Sequence, residues 1–217
     1  MKKEIRTFEA QDMEIRTEED NAPVVRGYAA VFDKLSVDMG FREKIAPGAF
    51  AKSIEKNNIK ALWNHNTDFP LANTKAGTLT LKEDSKGLRF ELELPDSTWG
   101  KDAEIAIRRG DCDGVSFGFR VNVDEWENSN QEKPVRTLRD VELFEISPTP
   151  FPAYPQTSLN VRSADEVFED YQAAQAAEDR EAAESQKAIA AEQRESQKVS
   201  HELELIEIKN QRRGEGK

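Results

Sequence analysis

A chain of 217 residues has room for one ordinary domain with a sizeable core plus an appendage, and too little for two full domains. Its single cysteine, Cys112, excludes an internal disulfide, and two histidines exclude a Cys/His metal site of the usual spacing, so neither metal nor cofactor is expected. A net charge of -11 argues against a surface that grips phosphates, which needs clustered Lys and Arg, and points to proteins rather than nucleic acid as partners.

The chain opens MKKEIRTFEA, without the apolar stretch of a signal peptide. No later apolar run approaches the roughly 20 residues of a membrane span, so no membrane partner is expected and a cytoplasm is the expected place of work. Residues 24–32 (VVRGYAAVF) have strand character. Pro47-Gly48 opens a helix in which Phe50 and Ile54 fall at i and i+4. Residues 61–65 (ALWNH) end a strand before the polar turn Asn66-Thr67-Asp68. Strands follow at 77–81 (GTLTL) and 88–94 (LRFELEL), then a helix at 103–109 closed by Gly110. Residues 114–123 (GVSFGFRVNV) and 137–146 are further strands, separated by the polar turn 127–134 (ENSNQEKP). Short strands with two helices give a mainly β, α+β class, and the polar turns favour a closed or sandwiched antiparallel sheet over a βαβ arrangement.

Composition changes near residue 163, and two domains are expected, 1–163 and 164–217. The second has no Pro, almost no Gly, and an excess of Ala, Glu, Gln, Lys and Arg, which predicts a long acidic helix. Its apolar anchors, among them Val167, Phe168, Tyr171 and Ile189, are sparse. It is either a solvated helix or an arm that docks on other helices.

Three places carry chemistry. In the strand around Gly114-Val-Ser-Phe-Gly-Phe119, Val115, Phe117, Phe119 and Val121 share one face while Gly114, Ser116 and Gly118 share the other. Glycines two residues on either side leave Ser116 bare, as a nucleophile approached by a peptide backbone requires. The same glycines also suit a bulge or close packing beside an ordinary polar serine. His65 sits where a scaffold meets a loop, and the other histidine, His201, lies in the helical tail, so an imidazole serving a serine in the folded domain must be His65. In Leu138-Arg-Asp-Val-Glu-Leu-Phe-Glu-Ile-Ser147, Glu145 alternates with Val141 and Leu143, which places its carboxylate on a mainly apolar face. That position needs a compensating partner such as a histidine N–H. Solvent-facing acids on an edge strand fit equally, and Asp140 and Glu142 remain candidates.

The order of these blocks resembles one family. Gly27-Tyr-Ala-Ala-Val-Phe32, Phe41-Arg-Glu-Lys-Ile-Ala-Pro-Gly-Ala-Phe50, Trp63-Asn-His65, Gly77-Thr-Leu-Thr-Leu81, Gly87-Leu88, Arg109-Gly110, Gly114-Val-Ser-Phe-Gly-Phe119, Leu143-Phe-Glu-Ile-Ser147 and Pro152-Ala-Tyr-Pro155 look like the successive signatures of tailed-phage prohead proteases. The resemblance covers about residues 22 to 163. It implies a fold shared with herpesvirus assembly proteases, a closed antiparallel β-barrel flanked by helices. It also implies Ser116 as nucleophile and His65 as base. The herpesvirus triad is Ser-His-His, and this domain has no second histidine, so an acid should orient the base. Glu145 matches the family position.

By the same resemblance the substrate is the scaffold segment of the major capsid protein, or a separate scaffold protein, inside a procapsid in the host bacterial cytoplasm. The protease itself is a further substrate, self-association is expected, and the tail would be a docking segment removed by self-cleavage. Two other readings belong to different classes: a non-catalytic structural or scaffold protein on the same barrel, and a binding module that works through its helical tail.

Overall fold

The computed structural model describes residues 3–9, 13–17, 22–127, 133–150 and 161–187. In chain order its strands are β1 (Lys3–Glu9), β2 (Glu14–Arg16), β3 (Val24–Val31), β4 (Arg42–Ile45), β5 (Lys60–Trp63), β6 (Asn66–Asn73), β7 (Leu79–Glu83), β8 (Gly87–Glu93), β9 (Gly114–Glu127), β10 (Val135–Thr149) and β11 (Val161–Arg162). Helix α1 (Ala51–Lys56) lies between β4 and β5, and α2 (Thr98–Arg109) between β8 and β9. Residues 164–187 form a third helix.

The β9–β10 hairpin organises the domain. Val115, Phe117, Phe119 and Val121 alternate along β9 and are buried, as their period-2 spacing predicts, and β10 answers them with Val141, Leu143 and Ile146. Phe117 meets Phe119 at 5.0 Å between ring centroids and meets Phe50 edge-on at 5.5 Å. Burial of each such ring stabilises the fold by about 1.5–3 kcal/mol. One apolar cluster joins these side chains to Val25 and Ala29 of β3, Phe90 and Leu92 of β8, and Ala103 and Ile107 of α2.

The strands fall into a seven-stranded sheet, ordered β11-β1-β9-β10-β5-β6 with β4 also on β10, and a four-stranded sheet, ordered β2-β3-β8-β7. Among the described residues this mainly β, α+β arrangement corrects the expected closed antiparallel barrel. The sheets are two and open, and β11 on β1, β4 on β10 and β5 on β10 pair in parallel. The length of β10 explains the last two. Its 15 residues accept β4 along Val135–Leu138 and β5 at Glu145–Ile146, and α1 spans the interval between these two strands. Between the two pairings the Ser53 hydroxyl of α1 donates to the Val141 carbonyl at 2.7 Å and accepts from the Leu143 amide at 2.9 Å.

Helix α2 starts earlier than its apolar spacing predicts, because the Ser97 side chain caps it by accepting from the Gly100 amide at 3.1 Å. Gly110 closes it in the left-handed region at φ 79°, as expected. A buried charge cluster ties β1 to the body of the sheet. Arg136 of β10 donates to Glu4 of β1 at 2.8 Å and to Glu43 of β4 at 3.0 Å, while Arg6 of β1 donates to Glu43 at 2.7 Å. Arg136 is only 2% exposed, so its carboxylate partners are what make its burial tolerable.

The chain divides into two compact units, Met1–Val167 and Phe168–Lys217. The third helix begins within the first unit. The Ser163 hydroxyl accepts from the Glu166 amide at 3.1 Å and the Glu166 carboxylate accepts from the Ser163 amide at 3.0 Å, a reciprocal cap. In the second unit residues 168–187 are helical and mostly exposed. The remainder of the expected tail helix, His201 included, lies outside the described residues. Among the described residues no helix is long and apolar enough to cross a membrane.

Candidate active site

His65 lies in the connection between β5 and β6 rather than at a strand end. Trp63 pairs with Asn66, and the two residues between them, Asn64 and His65, have φ of 50° and 60°. Two positive-φ residues make a tight hairpin turn, a conformation uncommon for non-glycine residues but one in which asparagine and histidine are enriched. The end of β10 holds this turn. The Asn64 amide donates to the Pro148 carbonyl at 3.2 Å, the Thr149 hydroxyl to the Asn64 side-chain oxygen at 3.1 Å, and the His65 amide to the Ser147 hydroxyl at 3.2 Å.

Glu145 reaches the same place through a bulge. Leu143 pairs with Phe119, but Glu145 pairs with Gly118, so Phe144 is an extra residue in β10. Simple alternation would keep Glu145 on the face of Val141 and Leu143, as the sequence predicts. The bulge instead turns it onto the face of Gly118 and Ser116. The partner anticipated for it is present, with His65 Nδ1 2.8 Å from Glu145 Oε1. Two further groups share the carboxylate: the Lys3 ammonium donates to Oε1 at 3.1 Å and the Ser147 hydroxyl to Oε2 at 2.8 Å. Glu145 is 3% exposed, and burial opposes its ionisation more than any other single influence. The hydrogen bond and charge of His65, the charge of Lys3 and the Ser147 hydroxyl together outweigh that, and hold the carboxyl below its ordinary value.

The alternative acids are engaged elsewhere. Asp140 pairs with Lys52, and Glu142 with Arg120. Cys112, buried, is no rival nucleophile, because burial and the neighbouring Asp113 push its thiol up to about 12.

Ser116 stands directly across from Ser147 on β10 and from Thr7 on β1. Opposed residues of antiparallel strands share a face with Cβ atoms about 4.5–5.5 Å apart, so Ser116, Ser147 and Glu145 look to one side. The Ser116 hydroxyl is fully buried; it donates to the Arg6 carbonyl at 3.0 Å and accepts from the Thr7 hydroxyl at 3.0 Å. The structure therefore brings His65 and Glu145 into contact and sets Ser116 on their face, with its proton directed at β1.

Gly118 differs from its sequence reading. The space its missing side chain leaves is filled, since a Cβ there would lie 2.3 Å from Glu145 Oε1 and 2.3 Å from Lys3 Cε. Lys3, Thr7 and Ser147 were not among the residues singled out in the sequence. Ser147 carried a signal, being two residues beyond Glu145 and so on its face of the strand; Lys3 and Thr7 reach the site only through the pairing of β1 with β9.

Residues 11–170 match the family described as caudovirus prohead serine protease. The prohead protease of Enterobacteria phage HK97 is 28% identical over 160 residues, spanning 71% of this chain and 67% of that protein. Among solved structures, the capsid assembly protease of bacteriophage T4 superposes with a TM-score of 0.46 at 11% identity, covering 67% of this chain and 97% of that one. Since the family match spans most of the chain and encloses His65, Ser116 and Glu145, the chain belongs to the caudovirus prohead serine protease family.

Proposed function

We propose that this chain is a capsid-maturation serine endopeptidase in which Ser116 attacks, His65 is the base and Glu145 orients the base. The observation that carries this reading is the 2.8 Å contact between His65 Nδ1 and Glu145 Oε1. A carboxylate on Nδ1 fixes the proton there, leaves Nε2 as the acceptor and stabilises the imidazolium once it forms. Ser116 first rotates about χ1 away from the Arg6 carbonyl. Its proton passes to His65 as Oγ attacks a peptide carbonyl, and His65 returns the proton to the leaving amine. Water then hydrolyses the acyl-enzyme.

Family membership and the prohead protease of phage HK97 support the choice of substrate: the scaffold segment of the major capsid protein or a separate scaffold protein, and the chain itself, inside the procapsid of an infected bacterium. Residues 1–163 would be the protease domain, working as a self-associating unit. Residues 164–217 would dock on scaffold helices and be lost by self-cleavage.

Co-expression with the capsid protein tests the proposal. Wild type should trim the capsid or scaffold protein and shorten itself, and Ser116→Ala should leave every product at full length. Trimming that survives Ser116→Ala would overturn the nucleophile. The buried, β1-bonded hydroxyl of Ser116 favours one other reading, a non-catalytic structural or scaffold protein. Absence of any trimming by wild type would support it.

A further inference from the structure

The carboxylate of Glu145 is held from three directions, and the cation among its partners comes from the start of the chain. Strand β1 pairs antiparallel with β9, with Thr7 opposite Ser116 and Ile5 opposite Gly118. Period-2 alternation then puts Lys3, Ile5 and Thr7 on the site face. Lys3 cannot reach Glu145 without crossing β9, and it crosses where β9 has no side chain, its Cε within 2.3 Å of the position a Cβ on Gly118 would take. Its ammonium ends 3.1 Å from Oε1, the same oxygen that meets His65 Nδ1. The opposite face of β1 is anchored independently, Glu4 and Arg6 being bound into the buried cluster with Glu43 and Arg136. Lys3 is thus delivered by a strand fixed on both faces and is itself only 34% exposed.

We propose that Lys3 is a positioning residue of the catalytic site, its ammonium reaching across Gly118 to fix Glu145 Oε1 against His65 Nδ1. This rests on the protease reading above. An imidazole alone holds the carboxylate differently in its neutral and charged forms. An ammonium on the same oxygen stays charged throughout, so the acid remains ionised and aimed while the base gains and loses its proton. The groups facing Glu145 are Lys3 from β1, His65 from the β5–β6 turn and Ser147 from its own strand. Lys60 is its register partner on β5, and Gly118 on β9 contributes no charge.

The test uses the full chain with Ser116→Ala to prevent self-digestion, carboxyl-labelled glutamate, and NMR titration of the Glu145 resonance, assigned by its loss in Glu145→Gln. Lys3→Met should raise the Glu145 midpoint by about one pH unit, and Lys3→Arg should restore it. In the active chain Lys3→Met should lower kcat by roughly tenfold with KM unchanged, move the acid limb of the rate profile upward, and be rescued by Lys3→Arg. Lys3→Gln, polar and of similar reach, serves if the methionine variant folds poorly. A Glu145 midpoint that ignores Lys3, or a rate loss equal at every pH, would reduce Lys3 to strand pairing and overturn the proposal. A wild-type chain that cleaves nothing, while its Glu145 midpoint follows Lys3, would refute the protease reading and leave the Lys3 to Glu145 linkage supported.

Discussion

Replacing Glu145 by glutamine separates the charge of the acid from its shape. A carboxylate offers acceptors on both oxygens, whereas an amide offers one oxygen and a nitrogen that donates. In the structure two donors converge on Oε1, His65 Nδ1 at 2.8 Å and the Lys3 ammonium at 3.1 Å, while Ser147 alone meets Oε2. The amide oxygen should therefore take the Oε1 place and its nitrogen should face the Ser147 hydroxyl, which can accept. The imidazole keeps its tautomer and loses only its counter-charge. A hydrogen bond to a charged partner is worth about 1.5–3 kcal/mol, which corresponds to a roughly 10- to 200-fold loss of rate. A wrong tautomer costs about 10⁴-fold. Single-turnover cleavage of a peptide spanning a cut site mapped from the co-expression products, read for wild type and Glu145→Gln, distinguishes these magnitudes. A loss near 10⁴ would mean that the amide nitrogen faces the imidazole and that Lys3 does not dictate the orientation. No loss would remove Glu145 from catalysis altogether.

Gly118→Ala should place a methyl against Glu145 Oε1 and Lys3 Cε, both movable side-chain atoms. Denaturant unfolding should show a destabilisation of only about 1–3 kcal/mol, while cleavage falls more than the tenfold expected for loss of Lys3 alone. Asp140→Asn and Glu142→Gln, whose carboxylates are paired with Lys52 and Arg120, should leave kcat/KM within about twofold of wild type; a loss of a hundredfold in either would move the orienting role to that residue. Because the folded state holds the Glu145 carboxyl below its ordinary value of about 4.3, the stability it contributes is full above that pH and is lost as pH falls through the depressed value. The stability difference between wild type and Glu145→Gln, from urea unfolding at a series of pH values below about 5, should accordingly shrink on acidification. A difference that grows on acidification would mean the carboxyl is raised rather than depressed.

The sequence was most legible where a single strand or helix decides the outcome. The alternation in β9 and the glycine that ends α2 depend on local geometry, and both are found in the structure, whereas the space at Gly118 is filled from other strands. What escaped depends on pairing between distant segments. KEIRTFE, the sequence of β1, has no clear alternation of apolar and polar residues, and only its place beside β9 brings Lys3 and Thr7 to the site. The two parallel pairings of β10 follow from the length of that strand, which takes β4 and β5 at different positions, and a strand-by-strand reading does not capture them. The face of Glu145 was misread for a related reason. Period 2 is already interrupted on either side of Asp140, resumes from Val141 to Leu143, and is reversed again by the bulge at Phe144, with no glycine or proline beside it to signal the change.

That bulge shows why His65 and Glu145, the proposed base and acid, come together. Residues 145–149 of β10 supply the Glu145 carboxylate, the Ser147 hydroxyl that holds both that carboxylate and the His65 amide, the Pro148 carbonyl that accepts from the Asn64 amide, and the Thr149 hydroxyl on the Asn64 side chain. Holding a non-glycine residue in the left-handed region costs on the order of 1–3 kcal/mol, and His65 persists there only because its surroundings over-determine it. The contacts from Ser147, Pro148 and Thr149, at about 0.5–1.5 kcal/mol each, are of the size needed to offset that cost. One run of strand therefore both carries Glu145 and stabilises the strained turn that presents His65. A slip of β10 against β9 would move the two as a unit, leaving their 2.8 Å contact intact while changing the distance of both from Ser116.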